Sequence, residues 1–162
     1  MVLAYDLIGE FDVSLDSKGR FRIPGGLLKD MGNRDELEFV INRGYYDNLV
    51  MYPKGVWDQQ MAKLDARLDE FNPAHRRYRM LYQRGANKVS PDSADRILLP
   101  KRLQGYAEGE KSLILSANQD HIDIWTEAKY DAFALGETTS QVVELAASIF
   151  GGSATVPPVS PQ

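Results

Sequence analysis

One segment of this chain is written twice, and that duplication limits its architecture more than any other feature. Leu15-Asp16-Ser17-Lys18-Gly19-Arg20-Phe21-Arg22-Ile23-Pro24-Gly25-Gly26-Leu27 aligns with Pro91-Asp92-Ser93-Ala94-Asp95-Arg96-Ile97-Leu98-Leu99-Pro100-Lys101-Arg102-Leu103 at a constant offset of 76. The copies share Asp, Ser, Arg, Pro and Leu. Further on, Asn48-Leu49-Val50-Met51-Tyr52 resembles His121-Ile122-Asp123-Ile124-Trp125 at an offset of 73, so three residues are lost in between. Each copy reads as strand, tight turn, strand ending at Pro, short helix, strand, loop, strand and helix. Self-similarity at a fixed spacing is the mark of a repeat architecture. A unit this small buries too little surface to stand alone, so the two copies are expected to share one pseudo-symmetric domain.

Hydropathy fills in the elements. Phe11, Val13 and Leu15 alternate with polar residues, and so do Phe21 and Ile23, the period-two signature of half-buried strands. The same period sends Arg20 and Arg22 together to the face opposite Phe21. Ser17-Lys18-Gly19 makes the turn between these strands, with Gly19 free to take positive φ. Leu37–Ile41 and Leu49–Tyr52 are apolar enough for buried strands, joined by a seven-residue loop. Trp57, Met61, Leu64, Leu68 and Phe71 keep helical spacing and predict one amphipathic helix running through Phe71. Asn72-Pro73 ends it and opens another over roughly 73–84, as N-cap and first helical residue, with Tyr78, Leu81 and Tyr82 on one side. A last helical region spans about 127–149, interrupted near 136–140, and its apolar end at Val142, Val143, Leu145, Ile149 and Phe150 invites a partner. Residues 151–162 hold three Pro and two Gly and are expected to form a disordered tail.

Composition narrows the class. The 162 residues are 43% apolar and 26% charged, ordinary for a chain with a packed core. The absence of Cys excludes a disulfide framework and a thiolate metal site. Met1–Asp6 has no signal-peptide pattern, and no stretch approaches the roughly 20 apolar residues of a membrane span; a cytoplasmic chain with no membrane partner is expected. The net charge of −4 counts against a nucleic-acid partner, since phosphate binding depends on clustered cations. The charge is uneven, however. Lys18, Arg20 and Arg22 fall close together, as do Arg76, Arg77, Arg79, Arg84 and Lys88, which allows a basic face on an acidic body.

The motif with chemical content is Asp-x-x-x-Arg across a turn, present as Asp16 with Arg20 and as Asp92 with Arg96. The turn brings carboxylate and guanidinium within reach, and a bidentate pair would hold the Arg side chain in place. An Arg held this way can offer its remaining N–H donors to a phosphate or to O6 and N7 of guanine. An Asp and an Arg beside a turn also make an ordinary solvated ion pair, worth roughly 0–1 kcal/mol. Recurrence in register favours the functional reading. No nucleophile–base pair, metal cluster or cofactor loop assembles from the remaining residues. Gly25-Gly26 lacks the Lys-Ser/Thr ending of a phosphate loop, His75 and His121 are too few for a metal site and read as surface histidines, and Trp57 and Trp125 read as core anchors. The chain is therefore expected not to be an enzyme and to use no cofactor, metal or small-molecule substrate. The arginines at 76, 77 and 79 read either as a solvated helix face or as a contact for a DNA backbone or for acidic residues such as Asp65, Asp69 and Glu70 of a neighbouring subunit.

These residues resemble a known family. Gly9-Glu10-Phe11 followed by Ser14–Pro24 is similar to the opening of MraZ proteins, which group with the AbrB-like swapped-hairpin DNA binders. Gly85-Ala86, Asp92, Arg96–Pro100, Leu103 and Tyr106-Ala107 are similar to the second half of the same family, and Tyr52-Pro53, Trp57 and Ile124-Trp125 also fit. The resemblance runs from about residue 8 to about residue 134. It implies an α+β chain with a mainly β core, in which two tandem AbrB-like repeats form one pseudo-twofold swapped-hairpin β-barrel with flanking helices. The first repeat with its helix would occupy 8–71. The basic connecting helix, the second repeat and the C-terminal helices would occupy 72–150. The resemblance further implies a ring-shaped homo-oligomer, cytoplasmic and nucleoid-associated, that binds double-stranded DNA at direct repeats upstream of the division and cell-wall gene cluster, usually as a repressor. Matched residue by residue, the DNA-binding positions are Asp16, Lys18, Gly19, Arg20 and Arg22, with Asp92 and Arg96 in the second copy and Lys101 adding charge.

The second copy departs from the family pattern. A basic or amide residue and then Gly normally precede its Arg, but this chain has Ala94-Asp95, and Ser90-Pro91 replaces an acidic–apolar pair. Asp95 sets a negative charge beside Arg96, so the first repeat is expected to be the main reader. The alternative is an oligomeric, antitoxin-like protein-binding module of the same fold without DNA binding, which the Ala94-Asp95 change and the negative net charge favour.

Overall fold

A computed structural model describes residues 5–136 and 139–151. The first repeat supplies β1 (Leu7–Ser14), β2 (Arg20–Arg22), α1 (Gly25–Leu28), β3 (Phe39–Arg43), β4 (Leu49–Pro53) and α2 (Lys54–Asp65). After the connecting helix α3 (Pro73–Gln83), the order recurs as β5 (Asn87–Val89), β6 (Arg96–Leu98), α4 (Lys101–Gln104), β7 (Ser112–Gln119), β8 (His121–Thr126) and α5 (Glu127–Leu135). The result is a mixed α/β chain with antiparallel sheets. It divides into two units, Met1–Glu127 and Ala128–Gln162. Within the second unit α5 is followed by α6 (Thr139–Phe150), whose Leu145, Ile149 and Phe150 are exposed. The expected tail beyond Gly151 lies outside the described residues.

The two repeats exchange strands. β1 and β2 meet at the expected turn, yet they do not pair with each other. β1 pairs with β7, β2 with β6, and β5 crosses back to β3. One sheet therefore has the order β1-β7-β8-β4-β3-β5, and β2-β6 forms a separate two-stranded ribbon. The registers carry the duplication into space. Phe21 faces Ile97, which is its own equivalent at the offset of 76. Val50 faces Asp123, its equivalent at the offset of 73. A local twofold relation therefore passes through the middle of both pairings.

The main core draws on both sheets and both repeats. Leu7, Phe21, Ile41, Ile97, Leu115 and Ile122 belong to one buried cluster. β3 is buried on both faces because a second cluster lies on its other side, where Val40 packs with Trp57 and Met61 of α2. The buried run at Phe39–Asn42 thus reflects cover on two sides. Both tryptophans are buried, as expected of core anchors.

Two helical expectations need correction. The apolar stripe continues to Phe71, but α2 stops at Asp65 and Phe71 is 86% exposed. Side chains there compete for the backbone donors a helix would use: the Phe71 N–H donates to Asp69 Oδ1 and the Asp69 N–H donates to His75 Nδ1. Such local bonds favour turns over helix. Asn72 then caps α3 as expected, accepting from the N–H groups of Ala74 and His75. Of the three apolar residues assigned to one side of α3, Tyr82 packs against Trp57 with ring centroids 5.9 Å apart, Tyr78 lies against Tyr82 at 6.2 Å while half-exposed, and Leu81 is exposed. β3 starts two residues later than expected and runs on to Arg43, so the loop before β4 is shorter.

Candidate nucleic-acid interface

Each turn is built around one carboxylate. Asp16 Oδ1 accepts the backbone N–H groups of Lys18 and Arg20, both at 2.9 Å, and Oδ2 accepts Arg20 Nε at 2.7 Å. The second copy repeats this bond for bond: Asp92 Oδ1 accepts from Ala94 and Arg96, and Oδ2 accepts Arg96 Nε at 2.9 Å. The backbone closes around it, with the N–H of Asp16 donating to the Arg20 carbonyl and that of Asp92 to the Arg96 carbonyl. The bidentate pairing expected from the sequence does not form. One carboxylate oxygen is committed to backbone donors, so only Nε of each Arg is held. This leaves Nη1 and Nη2 of Arg20 and Arg96 without a hydrogen-bond partner among the described residues. The brace orients the guanidinium without consuming it.

Three backbone N–H and side-chain donors on one acid also fix its charge. The Arg20 backbone N–H foremost, with the Arg20 guanidinium and the Lys18 N–H, lowers the Asp16 pKa from 3.8 to about 2. Asp92 is lowered by the same groups of its own repeat, led by the Arg96 backbone N–H. A depressed carboxylate pKa means the brace is fully formed above the ordinary carboxylate range and is lost only as pH falls through the folded value. The Asp16 carboxyl carbon resonance is expected to stay constant from pH 8 to pH 4 and to titrate with a midpoint near 2. A midpoint at the ordinary value of 3.8 would mean that the turn bonds are absent in solution.

The ribbon carries these arginines to one surface. In β2 and β6 the central residues point inward, with Phe21 1% and Ile97 0% exposed. Their neighbours face outward in two cross-strand pairs, Arg20 with Leu98 and Arg22 with Arg96. Like charges directly opposite in a ladder are destabilising, and Arg22 has no acidic partner among the described residues. A structure that keeps such a pair on its surface is suited to receiving an anion. Lys18 is exposed at the turn, while Lys101 is exposed at the start of α4, outside the ribbon.

Gly19 and Asp95 occupy equivalent positions and both take positive φ, 83° and 59°. Asp is among the few side chains that tolerate this region, so the turn survives the loss of Gly. The two residues also tie the repeats together, for the Leu99 N–H donates to the Gly19 carbonyl and the Ile23 N–H to that of Asp95. Asp95, expected to set a negative charge beside Arg96, has a partner that the sequence did not suggest. Its carboxylate receives the Arg34 guanidinium from the first repeat, with Nε at 2.6 Å. The pair partly offsets the charge that Asp95 sets beside Arg96. Nothing local in the sequence points to this pairing, since the partners lie 61 residues apart. Leu98 was also missed as a surface residue, although the alternation of Arg96 and Leu98 against Ile97 and Leu99 carries the signal.

Other candidates resolve differently. Arg79 holds Asp65 of the same chain with two bonds, at 2.7 and 3.2 Å, so an acidic mate from another subunit is not required for either residue. His121 is not a plain surface histidine; it sits between Asp120 and Asp123, and hydrogen bonding to Asp123 first raises its pKa.

Comparison with known proteins places the chain. The MraZ family model, described as "MraZ protein, putative antitoxin-like", matches residues 7–81 and 83–141. The chain is 30% identical over 147 residues to the protein named transcriptional regulator MraZ of Christiangramia forsetii, covering 90% of this chain and 94% of that one. The chain is also similar to proteins of the same name from Cytophaga hutchinsonii (29% identical, 85% and 90% covered) and Clostridium acetobutylicum (32% identical, 76% and 83% covered). With both repeats and the intervening helix inside the match, the chain belongs to the MraZ family.

Proposed function

We propose that this chain is a sequence-specific DNA-binding transcriptional regulator that represses from direct repeats upstream of the division and cell-wall gene cluster. One observation carries the reading. Two arginines on neighbouring antiparallel strands are each oriented through Nε by an Asp at a turn, and both keep their Nη donors on an outer face that also bears Arg22. Such a face matches the paired acceptors of guanine and the phosphate backbone. The DNA-contacting set is Asp16, Lys18, Gly19, Arg20 and Arg22 with Asp92, Arg96 and Lys101. The names of the relatives support the regulatory role. The strand exchange between repeats 8–71 and 72–150 supports a swapped-hairpin barrel as the scaffold.

An acidic chain with a small basic face gains affinity by repetition. A ring of copies engaging tandem sites raises the local concentration for every contact after the first, and such a protein would be found in the cytoplasm on the nucleoid. The competing reading, a protein-binding module without DNA contact, draws on the Ala94-Asp95 change and the negative net charge; the Arg34–Asp95 pair weakens the first of these by offsetting the Asp95 charge.

Retention of direct-repeat duplex in a mobility-shift assay across a salt series tests the proposal. The logarithm of the binding constant is expected to fall linearly with the logarithm of salt, by about 0.9 per phosphate neutralised. No retention at the lowest salt would leave the protein-binding module as the better account.

A further inference from the structure

The twofold relation of the β2–β6 ribbon holds at the brace and on the buried face but is broken at the turn tips and at one outward position. Asp16 and Arg20 have Asp92 and Arg96 as equivalents, but Lys18 corresponds to Ala94, Gly19 to Asp95 and Arg22 to Leu98. The half of the face from the first repeat is cationic throughout. The other half has one cation and one aliphatic side chain.

Leu98 has no role in the core to explain it. Its neighbours Ile97 and Leu99 are buried, whereas Leu98 is 51% exposed and lies directly across the ladder from Arg20. It shares the outer face with Arg22 and Arg96. An aliphatic group among guanidiniums is badly placed for solvent and well placed for a ligand that mixes polar acceptors with an apolar patch. The major-groove edge of DNA is such a surface, and the thymine C5-methyl is its apolar group.

We infer that Leu98 reads a thymine methyl beside the base or phosphate engaged by Arg20 and Arg96, and that the Arg22/Leu98 difference gives the face a direction on the duplex. This rests on the DNA-binding reading above. A symmetric face would accept a site in either orientation. A face with Arg at one end and Leu at the other favours one orientation, so successive copies would all lie the same way along the DNA.

Replacement of thymine by deoxyuridine removes the methyl and nothing else. A duplex is first selected from a randomised library by the full-length wild-type protein, and each thymine is then replaced singly, with affinity read by fluorescence anisotropy. At the contacted position the wild type is expected to lose about fourfold per methyl, the factor for one buried CH₂-sized group. Leu98→Ala should lose a similar factor on the thymine duplex and become indifferent to deoxyuridine there. Leu98→Arg, which restores the symmetry of the ribbon, should select sites without that thymine preference and without a preferred orientation. The inference is overturned if no single replacement alters wild-type affinity, if Leu98→Ala keeps the deoxyuridine effect, or if Leu98→Arg selects the same oriented site. Failure to select any duplex would instead overturn the DNA-binding reading. Melting temperatures equal to wild type confirm that both variants fold.

Discussion

Phe21→Ala is expected to lower the free energy of unfolding by about 3–5 kcal/mol, the usual range for emptying an aromatic core position. Phe21 is 1% exposed and stands across the ribbon from Ile97, at the point where the two repeats meet. β2 and β6 are only three residues long, so few ladder bonds are available to hold the ribbon once its inward face is gone. The side chain also belongs to the cluster that joins the ribbon to the six-stranded sheet. The space it leaves lies within a cluster drawn from both repeats. Urea unfolding should show a lower midpoint with an unchanged slope. Arg22→Ala, one residue along the same strand but on the outer face, should stay within about 0.5 kcal/mol of wild type. Equal effects from the two substitutions would mean that the inward and outward faces of β2 are wrongly assigned.

Arg20→Ala gives the second large effect, in binding. Loss of one specific guanidinium contact is expected to weaken the complex by about 1–3 kcal/mol. The salt dependence separates the possible partners. If Arg20 meets a phosphate, affinity falls on all sequences and the salt slope shrinks by about one. If it meets a guanine edge, preference relaxes at one base pair and the slope changes less. Arg96→Ala is expected to match Arg20→Ala, because its brace is the same and Arg34 partly offsets the neighbouring Asp95. A smaller effect of Arg96→Ala would instead support the dominance of the first repeat that the bare sequence implies. Thermal unfolding of both variants should be nearly unchanged, since an exposed ion pair is worth roughly 0–1 kcal/mol. Undiminished affinity and sequence preference in both would remove the basis for the assignment.

How far the molecule could be read from its sequence follows from which interactions are local. Repeat offsets, turn positions, the Asn72 cap and the outward placement of Arg20 and Arg22 rest on short-range rules of period and capping, and each was legible. The partner of each strand was not. Phe11, Val13 and Leu15 alternate in the same way whether β1 pairs with β2 or, as found, with β7, because period two records a buried face and is silent on the neighbouring strand. The end of α2 was missed for a related reason. The apolar spacing of Leu68 and Phe71 fits a helix, yet Asp69 and His75 offer the backbone other partners. At the site, residue types and positions were readable, while the geometry of the brace was not. Competition between backbone and guanidinium donors for one carboxylate decided it, and left more of each Arg available than a bidentate pair would have done.

The most direct test is a structure of the full chain bound to a duplex carrying its selected direct repeats. The account predicts Nη atoms of Arg20 and Arg96 within hydrogen-bonding distance of base edges or phosphates, about 2.7–3.2 Å, with Nε of each still on Asp16 and Asp92. A complex in which the β2–β6 ribbon faces away from the duplex, or is covered by another subunit, would contradict it.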